Sequence, residues 1–408
     1  MKTNILTHLV PTLPPKTGQA GQYALDLARQ LRDRCGISSQ FILCDSEWNG
    51  PARIEDFVVR RLRFPNDARL WAMLASLKDD SSVLLHYSGH SYQKNGLPNW
   101  LYLGIKFWLA DHDGGSVKTH KQFLTVFHDL GGPTTKPWQK EFYLQLLQKR
   151  LVERLHRQSE VSITNTHRDQ AQLNAIEPRK TLLLPKPANL PIIDQNKPKG
   201  RRNMPLLVAI ILGHELRCET IRAHANLLSA LDKGNRLSGV MLLGGADEAG
   251  RPFDEEFSLL QKSVAPTRIK VFGNQTPENI SLALNRADLF LSPQGGESAC
   301  KSGSVMAALA MGCATVLRDG RNAVPLQEGT HFIASDDSPS SVKRFERMAA
   351  AGELERVATA GHTWYQRFAD WNIIARKYQQ ALQERVPVAP TQKLDLDLAL
   401  LSLPAATR

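Results

Sequence analysis

The stretch ADLFLSPQGGESACKSGSVMAALAMGCATVLRD, residues 287–319, decides how the chain folds. An apolar run ends at Ser292–Pro293, and a glycine-rich loop follows with Glu297, Lys301, Ser302, Gly303 and Ser304. VMAALAM then reads as a helix of small residues, Gly312 closes it, and CATVLRD starts a second apolar run. Strand, helix and strand in that order make a parallel crossover unit. Its loop lies beyond the carboxyl end of the first strand, where free N–H groups, the helix start and Lys301 converge on a place for a phosphate. Glu297 is suited to accept from sugar or ribose hydroxyls. The competing reading is plain capping, with Ser302 or Ser304 as the N-cap.

Moving outward, the same alternation fills most of the chain. LLVAIILG, GVMLLGG and IKVFG are further strands of the second half, with helices near residues 220–231 and up to Arg286. NILTHLV, SQFILC, SSVLLHYS, FLTVFHD, VSITNT and TLLLPKP supply those of the first. Between the halves, DQNKPKGRRNMP is polar, basic and broken by Pro and Gly, as a linker should be. The expected division is a domain over 1–193, a linker over 194–205 and a second domain over 206–362. A single amphipathic helix over 363–386 and a flexible tail over 387–408 complete it. Two α/β units with parallel sheets facing a cleft place ligands beyond the strands' carboxyl ends.

Composition narrows the class. The 408 residues are 42% hydrophobic and 22% charged, as in soluble globular proteins. A formal net charge of +11 favours anionic partners such as phosphate esters. No zinc-finger spacing or RNA-binding signature accompanies it, so nucleic acid is not expected. Five cysteines without a CxxC pair read as reduced thiols in a cytoplasmic protein, and no metal site is expected. The prolines at 11, 14 and 15 break the only apolar run near the N-terminus, so no signal peptide is read there. KPWQKEFYLQLLQKRLVERLHRQ, residues 136–158, reads as a basic amphipathic helix, suited either to core packing or to peripheral contact with an anionic membrane.

Four more loops carry candidate chemistry. In the first, PTLPPKTGQAGQ, Gly18 and Gly21 permit a tight turn and close backbone approach before a helix start, though the dinucleotide pattern GxGxxG is absent. HYSGHSYQKNG places Tyr87, His90 and Tyr92 where they could stack on a sugar or bond its hydroxyls. VFHDLGG sets His128 at a strand end, either as a buried structural histidine or at a reacting centre. LGHELRCETIR opens the second domain with Arg217 near a helix start, where a diphosphate or plain solvent would meet it.

Taken together, these loops resemble the GT-B glycosyltransferases, particularly the retaining family-4 group. The specific part is GVMLLGGADEAG, RIKVFGNQTPENISLALNRADLFLSP and KSGSVMAALAMGCATVLRDG, the last corresponding to that family's EAMAxGxPVI donor helix. The resemblance implies a fold of two Rossmann-like domains, with the C-terminal helix returning to the first. It implies transfer of a hexosyl group from a nucleoside-diphosphate sugar, with retention, without a cofactor and without a metal. His128 and Glu297 would be catalytic. Gly18, Gly21, Arg217, Lys301, Ser302, Gly303 and Ser304 would hold the donor's phosphates and sugar, and Gly244 and Gly273 its nucleotide. Tyr87, His90 and Tyr92 would face an acceptor whose identity the resemblance does not supply. The sequence departs from the pattern at Ala307, which stands where the family's ribose-binding glutamate would be. A non-catalytic sugar-nucleotide- or polysaccharide-binding subunit, and a GT-B epimerase, are the alternatives.

Overall fold

The computed structural model describes residues 5–16, 18–77, 81–111, 121–131, 140–178, 181–193, 205–211, 213–244, 253–273 and 275–384. Most of the expected linker, the expected tail and the start of the basic segment over 136–158 lie outside these residues.

The first sheet contains β1 (Ile5–Val10), β2 (Ser38–Leu43), β3 (Arg53–Ile54), β4 (Phe57–Arg61), β5 (Ser82–Tyr87), β6 (Gln122–Phe127), β7 (Val161–Thr164) and β8 (Thr181–Leu183). Its order is β3-β4-β2-β1-β5-β6-β7-β8, parallel throughout except for the β3–β4 hairpin. The second contains β9 (Leu206–Ile211), β10 (Leu237–Leu243), β11 (Ile269–Phe272), β12 (Leu289–Leu291), β13 (Ala314–Leu317) and β14 (Ile333–Ala334). It is wholly parallel, in the order β11-β10-β9-β12-β13-β14.

Strands covered on both faces must be apolar at nearly every position. SVLLHY and QFLTVF accordingly have all six residues buried in each strand. Val83, Leu85, Phe123 and Phe127 point to one face, against Leu101 and Ile105 of the helix Asn99–Ala110. Leu84, Leu124 and Val126 point to the other, against Tyr23, Leu27 and Leu31. Those three belong to the helix Gln19–Cys35, whose apolar residues recur at helical spacing. Gly36 ends it in a left-handed turn, with φ 65°.

The deciding stretch forms the expected unit: β12, a one-turn helix Gly296–Ala299, the helix Gly303–Ala310 and β13. Every residue of Gly303–Ala310 except Ser304 is buried, which is why small side chains fill it. The expected helix over 363–386 is two, Glu353–Phe368 and Trp371–Gln383, because Asp370 caps the second by accepting from the Asn372 N–H at 2.7 Å. Likewise, the helix expected near 220–231 is divided into His214–Ala223 and Ala225–Lys233, with buried His224 between them. The last helix does return to the first domain, burying Ile374, Ala375 and Tyr378 against Leu6, Tyr23 and Leu27. No described helix is long and apolar enough to cross a membrane.

Candidate functional site

The two sheets bring their carboxyl-end loops together, and charged pairs span the junction. Asp169 and Arg168 stand in the first turn of the helix His167–Ile176, beyond β7, with Thr166 capping it. The Asp169 carboxylate is 2.6 Å from Lys301 Nζ. Arg168 donates to both oxygens of Glu297, at 3.0 and 3.3 Å. The loop after β8 crosses alongside: the Lys186 N–H donates to the Cys300 carbonyl at 2.9 Å. Gly303 lies so close to this strap that a Cβ there would meet Asn189 Cγ at 2.7 Å. Ser302 takes the capping role, accepting from the Val305 N–H at 3.3 Å and pairing with the Ser304 hydroxyl at 3.1 Å.

On the first domain's side, a cavity of about 360 Å³ opens between the β1 loop and the strap. Lys16, Gly18, Tyr23, Asp26, Lys186 and Trp371 contribute to its wall. Gly18 is the N-cap of the helix Gln19–Cys35. Gly21 is needed for packing, since a Cβ would lie 1.9 Å from the Thr12 carbonyl oxygen. Burial lowers the Lys186 pKa against the pull of Asp26, and burial raises that of Asp26 against Arg29. An amine and a carboxyl displaced in this way beside a cavity are a functional signature. Sequence reading passed over Lys186, although a lysine between two prolines at a strand end (PKP) was the available signal.

His128 follows β6, its N–H donating to the Tyr87 carbonyl at 2.9 Å. Tyr23 meets its ring edge-on, with centroids 5.3 Å apart, and the Tyr23 hydroxyl is 3.0 Å from that of Tyr378. His128 Nε2 is 3.2 Å from His86 Nδ1. His86 Nε2 is in turn 3.0 Å from His8 Nδ1, and His8 Nε2 is 3.2 Å from Ser39 Oγ. His8 and His86 are fully buried. Burial lowers the His128 pKa to about 3, with the charges of Lys186 and Lys301 acting in the same direction. All three rings are therefore neutral at physiological pH. This row also escaped the sequence reading; its signal was one histidine in each of three apolar strand segments, THLV, LLHYS and VFHD.

Other expected site residues are placed differently. Arg217 is not at the cleft surface: it is 1% exposed and bonded through Nε and Nη2 to Glu256 Oε1, at 2.9 and 2.7 Å. Its guanidinium also covers the Phe253 ring at 4.3 Å. A cation so enclosed is committed to the second domain's interior, which corrects the diphosphate assignment. Tyr87 is packed in the first domain's core, and the Tyr92 hydroxyl is spent on the Leu9 and His86 carbonyls, at 3.0 and 3.2 Å. Tyr87 is thus closed to an acceptor, which corrects that reading, and half-buried Tyr92 has no hydroxyl to offer one. His90 is exposed, with Nδ1 3.1 Å from the Lys94 carbonyl. Gly244 takes φ 123° just past β10, and Gly273 is exposed beyond β11. Ala307 is fully buried.

His214, Cys218 and Glu255 bring one donor atom each within 4.8 Å of one another, the closest to a metal set among the described residues. Burial, with Glu256 and Glu255, pushes the Cys218 thiol up to about 11. Arg222 already neutralises Glu255 at 2.7 Å, and Arg217 neutralises Glu256 beside it. Two fixed cations in the cluster oppose a dication there.

No family model matches the sequence, and no curated protein matches it. Solved structures do match in shape. A glycosyltransferase from Rickettsia africae is 14% identical with a TM-score of 0.60, over 94% of this chain and 99% of that one. A sucrose-phosphate synthase from Thermosynechococcus elongatus is also 14% identical at TM-score 0.60, over 93% and 98%. HepE of Anabaena, solved with UDP-glucose, is 13% identical at TM-score 0.55, over 93% and 100%. The chain thus has the GT-B fold of these glycosyltransferases, with its charged strand-end loops at the junction of the two domains.

Proposed function

We propose that the protein transfers a hexosyl group from a nucleoside-diphosphate sugar to an acceptor hydroxyl, with retention and without a metal. The observation that carries this reading is the convergence of His128, Lys186 and Lys301 where the two domains join. The Lys186 N–H holds the Cys300 carbonyl beside Lys301, and burial, then the charges of both lysines, lowers the His128 pKa. Cations so placed stabilise the negative charge that develops on a departing diphosphate. Lys301, the adjacent N–H groups and the start of Gly303–Ala310 hold the phosphates, and Glu297 bonds the sugar or ribose. To reach the donor, Lys301 and Glu297 exchange Asp169 and Arg168 for ligand. The acceptor enters through the cavity at Lys16 and Trp371, whose indole suits the face of a sugar ring. The complex of HepE with UDP-glucose supports the donor class.

One observation favours a second reading, donor binding without transfer: Ala307 gives no carboxylate for a ribose hydroxyl. Thermal-shift titration with UDP, GDP, ADP and their sugar conjugates decides, since a ligand of the folded state raises the melting point. A shift with one nucleotide that Lys301→Ala abolishes is the expected result, together with slow release of that nucleotide from its sugar conjugate. Binding without release identifies the second reading, and no shift with any nucleotide overturns both. Peripheral membrane contact belongs to the same proposal, through Tyr143, Leu146 and Leu147, which are 64%, 43% and 48% exposed on the helix Lys140–Gln158 beside Lys149 and Arg150. Sedimentation with anionic vesicles that salt does not reverse, or that never occurs, would remove it.

A further inference from the structure

The row Ser39, His8, His86, His128 runs across four neighbouring strand segments, from β2 through β1 and β5 to the end of β6. Ring centroids are 5.3 Å apart for His8 and His86 and 5.5 Å for His86 and His128, with interplanar angles of 19° and 17°. Those separations exceed the N···N distances of 3.0 and 3.2 Å by two ring radii. The rings therefore stand head to tail in nearly one plane, and each hydrogen bond lies along the line of centroids. A neutral imidazole donates from one nitrogen and accepts at the other. The row consequently has only two self-consistent states: every ring protonated on Nδ1, or every ring protonated on Nε2.

We propose that this row is a proton relay between the cleft and Ser39, near the amino end of β2, working by concerted exchange of those two states. In the Nε2 state, His128 Nδ1 is a bare acceptor; among the described residues nothing is hydrogen-bonded to it. A proton arriving there from an acceptor hydroxyl releases the Nε2 proton of His128 to His86 Nδ1. His86 passes its own Nε2 proton to His8 Nδ1, and His8 passes its own to Ser39 Oγ. Ser39, 8% exposed, gives up its original proton to water. One proton enters, one leaves, and no ring becomes an imidazolium. That matters because burial without a carboxylate partner forbids the charged form at His8 and His86. His128 is then the catalytic base of the transfer, while His86 and His8 are positioning residues that act through it.

The chemical role rests on the transferase reading, but the row itself can be tested without it. Glutamine at position 86 donates through its amide and accepts through its carbonyl, yet cannot pass a proton from one to the other. His86→Gln should therefore keep the melting point and the nucleotide affinity while donor hydrolysis, with water as acceptor, falls by about a hundredfold. Its solvent isotope effect in deuterium oxide should change with it. Ser39→Ala removes only the exit and should slow the same reaction without repacking a ring, and Ser39→Thr should restore it. An unchanged rate and isotope effect in folded His86→Gln and Ser39→Ala would overturn the relay. Nitrogen NMR of histidine-labelled wild type, measured on UDP-glucose-free protein, reads the row directly: three neutral rings sharing one tautomer are expected. Rings protonated on different nitrogens, or one charged at neutral pH, would overturn it. If the wild type turns over no nucleotide sugar at all, the transferase reading fails, and the NMR result still decides the row.

Discussion

At the residue scale, the most consequential assignment is Arg217. Its partner Glu256 is fully buried, and Glu256 is held ionised: burial opposes this, but its backbone N–H, His214 and Arg217 outweigh the cost. Arg217→Met should cost about 3–5 kcal/mol because it strands a buried carboxylate. Chemical unfolding would show that loss. Nucleotide affinity of the protein that remains folded should not change, whereas a diphosphate ligand lost from the cleft would weaken it. Buried His8 and His86 make a second prediction. Burial lowers His8 from 6.5 to about 3, so it takes up a proton on unfolding throughout that interval. The unfolded chain binds the extra proton, and stability therefore falls as the pH drops below 6.5. Each such ring contributes a slope of about 1.4 kcal/mol per pH unit. The melting point of His8→Gln should decline less steeply over the same range, and a parallel decline would show that the ring was already charged.

Among the elements, two helices do work that their sequences state differently. Trp371–Gln383 is amphipathic in either reading, but its partner surface is Leu6, Tyr23 and Leu27 of the first domain, more than three hundred residues earlier in sequence. Ile374→Ala should cost about 2–5 kcal/mol, seen in the urea midpoint, because Ile374 is fully buried in that contact. A loss well below 1 kcal/mol would mean that the helix is not docked in solution. Gly303–Ala310 packs on all sides, with Leu309 so near the helix Glu353–Phe368 that a Cβ on Gly361 would lie 2.8 Å from it. Ala307→Glu, which supplies the glutamate that the GT-B resemblance leads one to expect there, should therefore fail to fold: it buries a carboxylate in an apolar cluster. Recovery of soluble, nucleotide-binding Ala307→Glu protein would refute this.

For the whole molecule, the two domains meet through opposite charges of reversed order, Arg168–Asp169 against Glu297 and Lys301. The Lys301–Asp169 pair is the better shielded, with side chains 34% and 9% exposed, and under the proposed function it is the pair that a donor phosphate would displace. Such a pair is worth about 1 kcal/mol. Asp169→Asn should accordingly tighten nucleoside-diphosphate binding about fivefold by calorimetry. Weaker binding would show instead that Asp169 positions Lys301 for its ligand.

How much of this was legible follows from the range of the forces involved. Runs such as SVLLHY and QFLTVF specified buried parallel strands by themselves, because a strand covered on both faces tolerates almost nothing else. Small residues in VMAALAM likewise declared a crowded helix, and the loop before it declared its place beyond a strand end. The sequence alone thus determined two α/β units and the strand-end loops that form the rim between them. It did not determine which charges on that rim are free. Arg217 and Lys301 read alike in sequence; only packing turned one inward onto Glu256 and left the other at the junction. His8, His86 and His128 are separated by dozens of residues, and nothing local distinguishes three solvated or buried imidazoles from one connected row. Strand order and register alone decided that: β1, β5 and β6 lie side by side, so pairings between distant segments set the distances over which a hydrogen bond can form.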